Sequence, residues 1–167
     1  MRKIAALLLL WLVFSAHAEG WMGVGVGAPG FFMMEYAHDR ARVGLSVDPF
    51  TTYEVAFKAD WALAKLHHSP KAPWGARVQQ ELRFYTGITG SYFFRPYVLG
   101  ERSFNYALGG YVGYGTATQL NERFRYGVDV GVGLRNPPDA LGYLLLMDPS
   151  PSWGLFLQIG VHLDFAL

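Results

Sequence analysis

Polar and apolar residues alternate along much of this chain with a period of two. From Arg123 to Arg135 one face holds Arg123, Arg125, Gly127, Asp129, Gly131, Gly133 and Arg135, and the other holds Phe124, Tyr126, Val128, Val130, Val132 and Leu134. The final segment repeats the pattern, with Trp153, Leu155, Leu157, Ile159, Val161, Leu163, Phe165 and Leu167 set against Gly154, Phe156, Gln158, Gly160, His162, Asp164 and Ala166. This period places successive side chains on opposite faces of a strand. Both strands would be about a dozen residues long, twice the usual five or six of soluble sheets.

The same frame fits the remaining segments. Val43, Leu45 and Val47 oppose Arg42, Gly44, Ser46 and Asp48, while Tyr53, Val55, Phe57, Ala59, Trp61 and Leu63 oppose Glu54, Ala56, Lys58, Asp60 and Ala62. Ala76, Val78, Gln80, Leu82 and Phe84 oppose Arg77, Gln79, Glu81, Arg83 and Tyr85. Eight strands are predicted at 20–28, 31–38, 41–48, 51–65, 74–86, 104–118, 122–135 and 153–167. Short connections (39–40, 66–73 and 119–121) then fall at one end, and the longer segments 87–103 and 136–152 at the other. Both longer segments contain strand-like runs, Tyr92 to Glu101 and Ala140 to Met147, and if each formed a strand the count would be ten. Arg95-Pro96 and Asn136-Pro-Pro-Asp139 favour loops, because proline removes a ladder donor.

A soluble sandwich also alternates, but its polar face meets water and is rich in Lys, Thr and Ser. Here the polar face mixes Arg, Asp and Glu with glycine, as an enclosed space demands. An eight-stranded barrel is just wide enough to be filled by side chains, so a large Arg or Tyr needs glycine on a facing strand. The apolar face carries aromatics near strand ends, Trp21, Tyr53, Trp61, Trp74, Phe124, Tyr126, Trp153 and Phe165 among them, which suit the interfacial girdles of a membrane barrel. The fold expected is all-β: a single closed antiparallel up-and-down transmembrane β-barrel.

In this pattern the chain resembles the small outer-membrane β-barrels of Gram-negative-type envelopes, the OmpA- and OmpX-like class. The resemblance covers everything after the leader and is most specific at the end, where Val161, Leu163, Phe165 and Leu167 alternate as in the C-terminal signal that the barrel-assembly machinery reads. The terminal residue is Leu where that class typically has Phe. The resemblance implies a monomer in the outer membrane, in contact with outer-membrane lipid and lipopolysaccharide.

The first residues agree with export. Arg2 and Lys3 precede the apolar run Ile4 to Phe14, and Ala16 and Ala18 form a small-x-small cleavage site, so residues 1–18 are expected to be a secretory signal and 19–167 the barrel. Eleven apolar residues fall short of the roughly 20 that a spanning helix needs. The chain has no cysteine, which excludes a lipid-anchored lipoprotein, disulfides and thiolate metal sites. Removing Arg2 and Lys3 from 14 basic residues leaves 12 against 13 acidic, a net charge of −1 that gives no footprint for nucleic acid. One motif points elsewhere: Gly25-Val-Gly-Ala-Pro-Gly30 satisfies Gly-x-Gly-x-x-Gly, with Asp48 following 18 residues after Gly30. Alternation gives the better account, since Gly23, Gly25 and Gly27 form an empty inner face against Val24, Val26 and Ala28, and Pro29-Gly30 a turn.

The inward face would hold Arg42, Lys58, Arg77, Arg83, Arg125 and Arg135 against Glu35, Asp48, Glu54, Asp60, Glu81, Asp129 and Asp164, with His162 hydrogen-bonded near Asp164. Buried charges persist only when paired, so the expectation is a salt-bridged, non-conducting filling. No cofactor is expected. Three functions remain open: a structural or surface-interaction scaffold, which the pattern favours; a lipid A-modifying enzyme, for which His67-His68-Ser69 is the one local candidate, read as part of a turn; and a narrow pore.

Overall fold

The computed structural model describes residues 20–28, 31–50, 53–70, 78–99, 102–137 and 153–167. They form eight antiparallel strands in chain order: β1 (Trp21–Ala28), β2 (Phe32–His38), β3 (Ala41–Asp48), β4 (Glu54–His68), β5 (Gln80–Leu99), β6 (Arg102–Gln119), β7 (Phe124–Asn136) and β8 (Gly154–Ala166). Each pairs with its neighbour, and β1 pairs with β8 from Trp21↔Ala166 to Ala28↔Ile159, closing a barrel. The expected leader at 1–18, the expected turn at Pro29-Gly30, Trp74, Arg77 and the run Ala140 to Met147 lie outside the described residues.

Register fixes the geometry. A path across the ladders from Gly23 through Glu35, Gly44, Lys58, Thr89, Gly109 and Arg135 arrives at Gly154, whereas the direct β8 partner of Gly23 is Asp164. The two positions are ten residues apart on β8, so the barrel has eight strands and a shear of ten. Those values tilt the strands by about 40°, and each residue then adds about 2.5 Å along the barrel axis.

Local chemistry sets the tight connections. Asp39, in the two-residue turn between β2 and β3, has φ 46°, a left-handed conformation that Asp tolerates because its short side chain can hydrogen-bond locally. Between β3 and β4 the Phe50 amide donates to Asp48 Oδ1 at 2.9 Å, and between β6 and β7 Asn121 Oδ1 accepts from the amides of Arg123 (2.8 Å) and Phe124 (3.0 Å).

The structure departs from the sequence expectation in four places. Segment 87–103 is not a loop: β5 runs on to Leu99 and β6 starts at Arg102, with only two residues between them. Pro96 is tolerated because β4 ends opposite Phe93, so no β4 ladder needs a donor there, and the β5–β6 register shifts between Tyr92 and Tyr97. Residues 92–99 therefore belong to this hairpin rather than to an additional strand. Second, β4 extends to His68 through a bulge between Ala62 and Ala64, which leaves Leu63 and Ala64 facing outward and turns Lys65 back toward the lumen rim. Third, β5 begins at Gln80 rather than at residue 74. Fourth, Trp21 shares the inner parity of Gly23 and lies beneath the Arg125 guanidinium at 4.4 Å, so it is not part of an outer girdle.

Candidate functional site

The interior is the chemically distinctive part of the molecule. Near the end where the described termini meet, with the Leu167 amide donating to the Gly20 carbonyl at 3.0 Å, lies a layer of buried charge. Its centre is Arg42 on β3, 1 % exposed. The guanidinium donates through Nε to both Asp60 oxygens (3.1 and 3.0 Å), through Nη1 to Asp129 Oδ2 (2.5 Å), and lies 3.5 Å from Glu35. Lys58 Nζ lies 2.9 Å from Glu35, and Arg83 3.5 Å from Asp129. His162, on β8, is placed among three carboxylates: Nδ1 is 2.7 Å from Asp164 and 3.3 Å from Glu35, and Nε2 is 3.2 Å from Asp129. Arg125 Nε donates to Asp164 at 2.6 Å. Four carboxylates thus face four permanent cations, with the imidazole between them.

Above this layer three aromatic rings fill the lumen. Tyr85 (β5), Tyr111 (β6) and Phe156 (β8) stack edge-to-face, each pair with centroids 6.0 Å apart and planes 82° and 85° from parallel. The Tyr85 ring also receives Arg42 at 5.1 Å, and Tyr111 Oη donates to Asp60 at 3.3 Å, joining the two layers. Higher still, Arg135 Nη2 donates to Glu54 (2.6 Å) and Ser91 (3.0 Å) and its guanidinium lies over Phe93 at 5.5 Å. Glycines make this filling possible. A Cβ on Gly87 would stand 2.6 Å from the Tyr111 ring, one on Gly133 2.6 Å from Phe156, and one on Gly44 2.6 Å from the Lys58 side chain. One cavity inside, lined by Met33, Ser46, Thr89, Tyr111, Phe156 and Gln158, holds about 10 Å³, room for about one water.

Of the inward charges expected from sequence, Glu35, Arg42, Lys58, Asp60, Arg83, Arg125, Asp129, His162 and Asp164 meet in the lower layer, and Glu54 with Arg135 in the upper one. Glu81 lies at the rim, 3.7 Å from Lys65 and 3.5 Å from His67. Asp48, at the end of β3, accepts from the Phe50 amide in the β3–β4 turn. Ala16, Ala18 and Arg77 lie outside the described residues. Val161, Leu163 and Phe165 face outward on β8, Phe165 stacking on Phe124 at 5.2 Å, and Leu167 follows the strand end. His67 and His68 are the last residues of β4 rather than part of a turn. Sequence reasoning left out the aromatic layer, together with Ser91, Thr89, Gln158 and Lys65. The signal was present, since Phe156 has the same parity as His162 and faces a glycine strand.

Glu35, Asp129 and His162 bring ligand atoms within 4.8 Å of one another, the one such three-residue grouping among the described residues. Arg42, Lys58 and Arg83 already neutralise those carboxylates, so the donor set offers a divalent cation little net negative charge. No known family model, curated protein or solved structure matches the chain.

Proposed function

We propose that the protein is a membrane-spanning β-barrel of the outer-membrane kind, a structural and surface-interaction scaffold with a salt-bridged, non-conducting interior. The observation that carries this reading is the inversion of polarity across the wall. Arg42, Asp129 and Asp164 are 1 % exposed inside, whereas Ile88 (63 %), Leu108 (59 %), Val112 (56 %) and Val130 (51 %) face outward. A chain folding in water puts its aliphatics inside; one folding into hydrocarbon does the reverse, and closure leaves no unpaired edge in the apolar phase. The scaffold reading is supported by the filling of the lumen with ion-pair and aromatic layers, beside which the cavity at Met33, Tyr111 and Phe156 leaves room for about one water.

The test is reconstitution of the mature chain from detergent into planar bilayers. The expected result is a heat-modifiable protein, shifting in apparent size on unboiled gels, that gives no stable open conductance. Recovery as a detergent-free soluble monomer defeats the membrane reading. Reproducible single-channel steps that change when Arg83 or Asp129 is neutralised defeat the scaffold reading in favour of a pore.

A further inference from the structure

The barrel wall is not of uniform height. Strands β1, β2 and β3 have 8, 7 and 8 residues, while β7 and β8 have 13 each and β4 has 15. At about 2.5 Å of axial rise per residue, the first three form a wall about 18–20 Å high and β7–β8 one of about 32 Å. Strand tilt does not explain the difference. A shear of ten over eight strands lifts each successive strand by only about one residue at constant register. Yet β1 ends at Ala28 opposite Ile159 while β8 continues five residues to Gly154, a step of about 9 Å after that correction. At the other end β3 starts at Ala41 opposite Trp61 while β4 continues seven residues to His68, a step of about 12 Å.

The side chains follow the low wall. Phe31, Phe32 and Phe50, 50 %, 47 % and 64 % exposed, cluster at its upper edge with ring centroids 5.0, 5.5 and 6.2 Å apart. At its lower edge stands the charged turn Asp39-Arg40, tied to β4 by the Ala62 amide donating to the Arg40 carbonyl (2.8 Å) and by Lys65 Nζ donating to the Asp39 carbonyl. On the tall side the upper aromatics are Tyr92, Phe94, Tyr106 and Trp153, each more than half exposed. Aromatic belts and charged turns mark where hydrocarbon meets headgroups. The tall wall exceeds the roughly 25 Å apolar band of such barrels, and the low wall falls short of it.

We propose that the β1–β3 face is a membrane-thinning surface, drawing the headgroups of the adjoining lipid inward by about 10 Å relative to the β6–β8 face. The inference rests on the membrane-spanning reading above. Its occupant is the lipid bilayer itself: the face matches a hydrocarbon layer well below ordinary thickness, and a short wall is accommodated by bilayer thinning at a modest energetic cost per ångström.

Site-directed spin labelling tests this directly, because the chain has no native cysteine. Ala28 on β1 and Val132 on β7 both face outward and, with tilt included, lie within about 1 Å of the same axial height. Single labels at Ala28→Cys and Val132→Cys are placed in the mature protein in dioleoyl-phosphatidylcholine vesicles, folding is checked by gel shift, and depth is read from relaxation by oxygen and by a water-soluble nickel chelate. The expected result is a Val132 label about 10 Å deeper than the Ala28 label, with the gap narrowing in dilauroyl-phosphatidylcholine. Equal depths for two folded, lipid-embedded variants overturn the thinning proposal and leave the membrane reading standing. Nickel accessibility of both labels at the aqueous level overturns both.

Discussion

The lower and middle layers of the lumen fill the same cylinder by different physics. In the lower one, space is occupied by charges from six strands, and Arg42 reaches Asp129, 87 positions away in the chain, across the barrel from β3 to β7. In the middle one, three rings from β5, β6 and β8 stack against glycines and need only one polar anchor, the Tyr111 hydroxyl on Asp60. The difference teaches where each layer is vulnerable. An ionic layer fails when one partner is removed, because the charges left behind are stranded without water. An aromatic layer fails by leaving a hole, and the loss scales with the volume vacated.

The comparison is broken most forcefully at Arg42. Arg42→Leu keeps the site filled but leaves Asp60, Asp129 and Glu35 without their shared cation, and the expected loss is about 3–5 kcal/mol, read as a lowered urea midpoint for the protein folded in vesicles. Adding Asp129→Leu to that variant should recover part of the loss, since one stranded charge is removed. A double variant no more stable than the single would show that Arg42 acts through packing rather than through charge.

The aromatic layer should yield somewhat less. Phe156→Ala vacates a ring that is 1 % exposed and in edge contact with Tyr111, and about 3 kcal/mol of destabilisation is expected by the same assay. The same layer offers a coupled pair at Gly113, where a Cβ would meet the Tyr85 ring first, at 2.4 Å, so Gly113→Ala in a Tyr85→Ala background should be tolerated better than Gly113→Ala alone. Additive effects at this pair would contradict the packing described here.

What the sequence disclosed of this arrangement follows from the periodicity itself. Alternation assigns a face to each residue, so Arg42, Asp129 and His162 were legible as inward and Val130 or Ile159 as outward. Alternation is silent about shear, and shear decides who meets whom: that Arg42 finds Asp129 rather than Asp164 depends on the ten-residue offset accumulated around the barrel. It is also weak at strand ends. Alternation gives Asp48 inward parity and does not disclose that, at the last position of β3, its carboxylate also accepts from the Phe50 amide in the turn. Pro96 read as a loop marker because a ladder on both sides was assumed, whereas the β5–β6 hairpin outgrows β4. The aromatic layer was less legible for another reason: parity puts Phe156 and Tyr85 on the inward face, but Tyr111 belongs to the 104–118 strand, whose two faces the sequence reading does not separate, and parity alone does not say that the three rings meet.

The smallest effect is expected at the rim, where the comparison sharpens into a depth rule. His67 Nε2 lies 3.5 Å from Glu81 Oε2, a separation similar to that of Arg83 from Asp129 in the buried layer. Its side chain, however, is 76 % exposed, against 1 % for Asp129. Water solvates His67 whether or not Glu81 is near, so the ion pair gains little, and Lys65 at 3.7 Å remains to face the carboxylate if the imidazole is removed. His67→Ala should therefore change stability by less than about 0.5 kcal/mol, and raising the salt concentration should not enlarge the difference. A loss comparable with that of Arg42→Leu would mean that the rim is dehydrated in the folded protein, and that the boundary between buried and solvated charge lies nearer the terminal end of the barrel than Glu81.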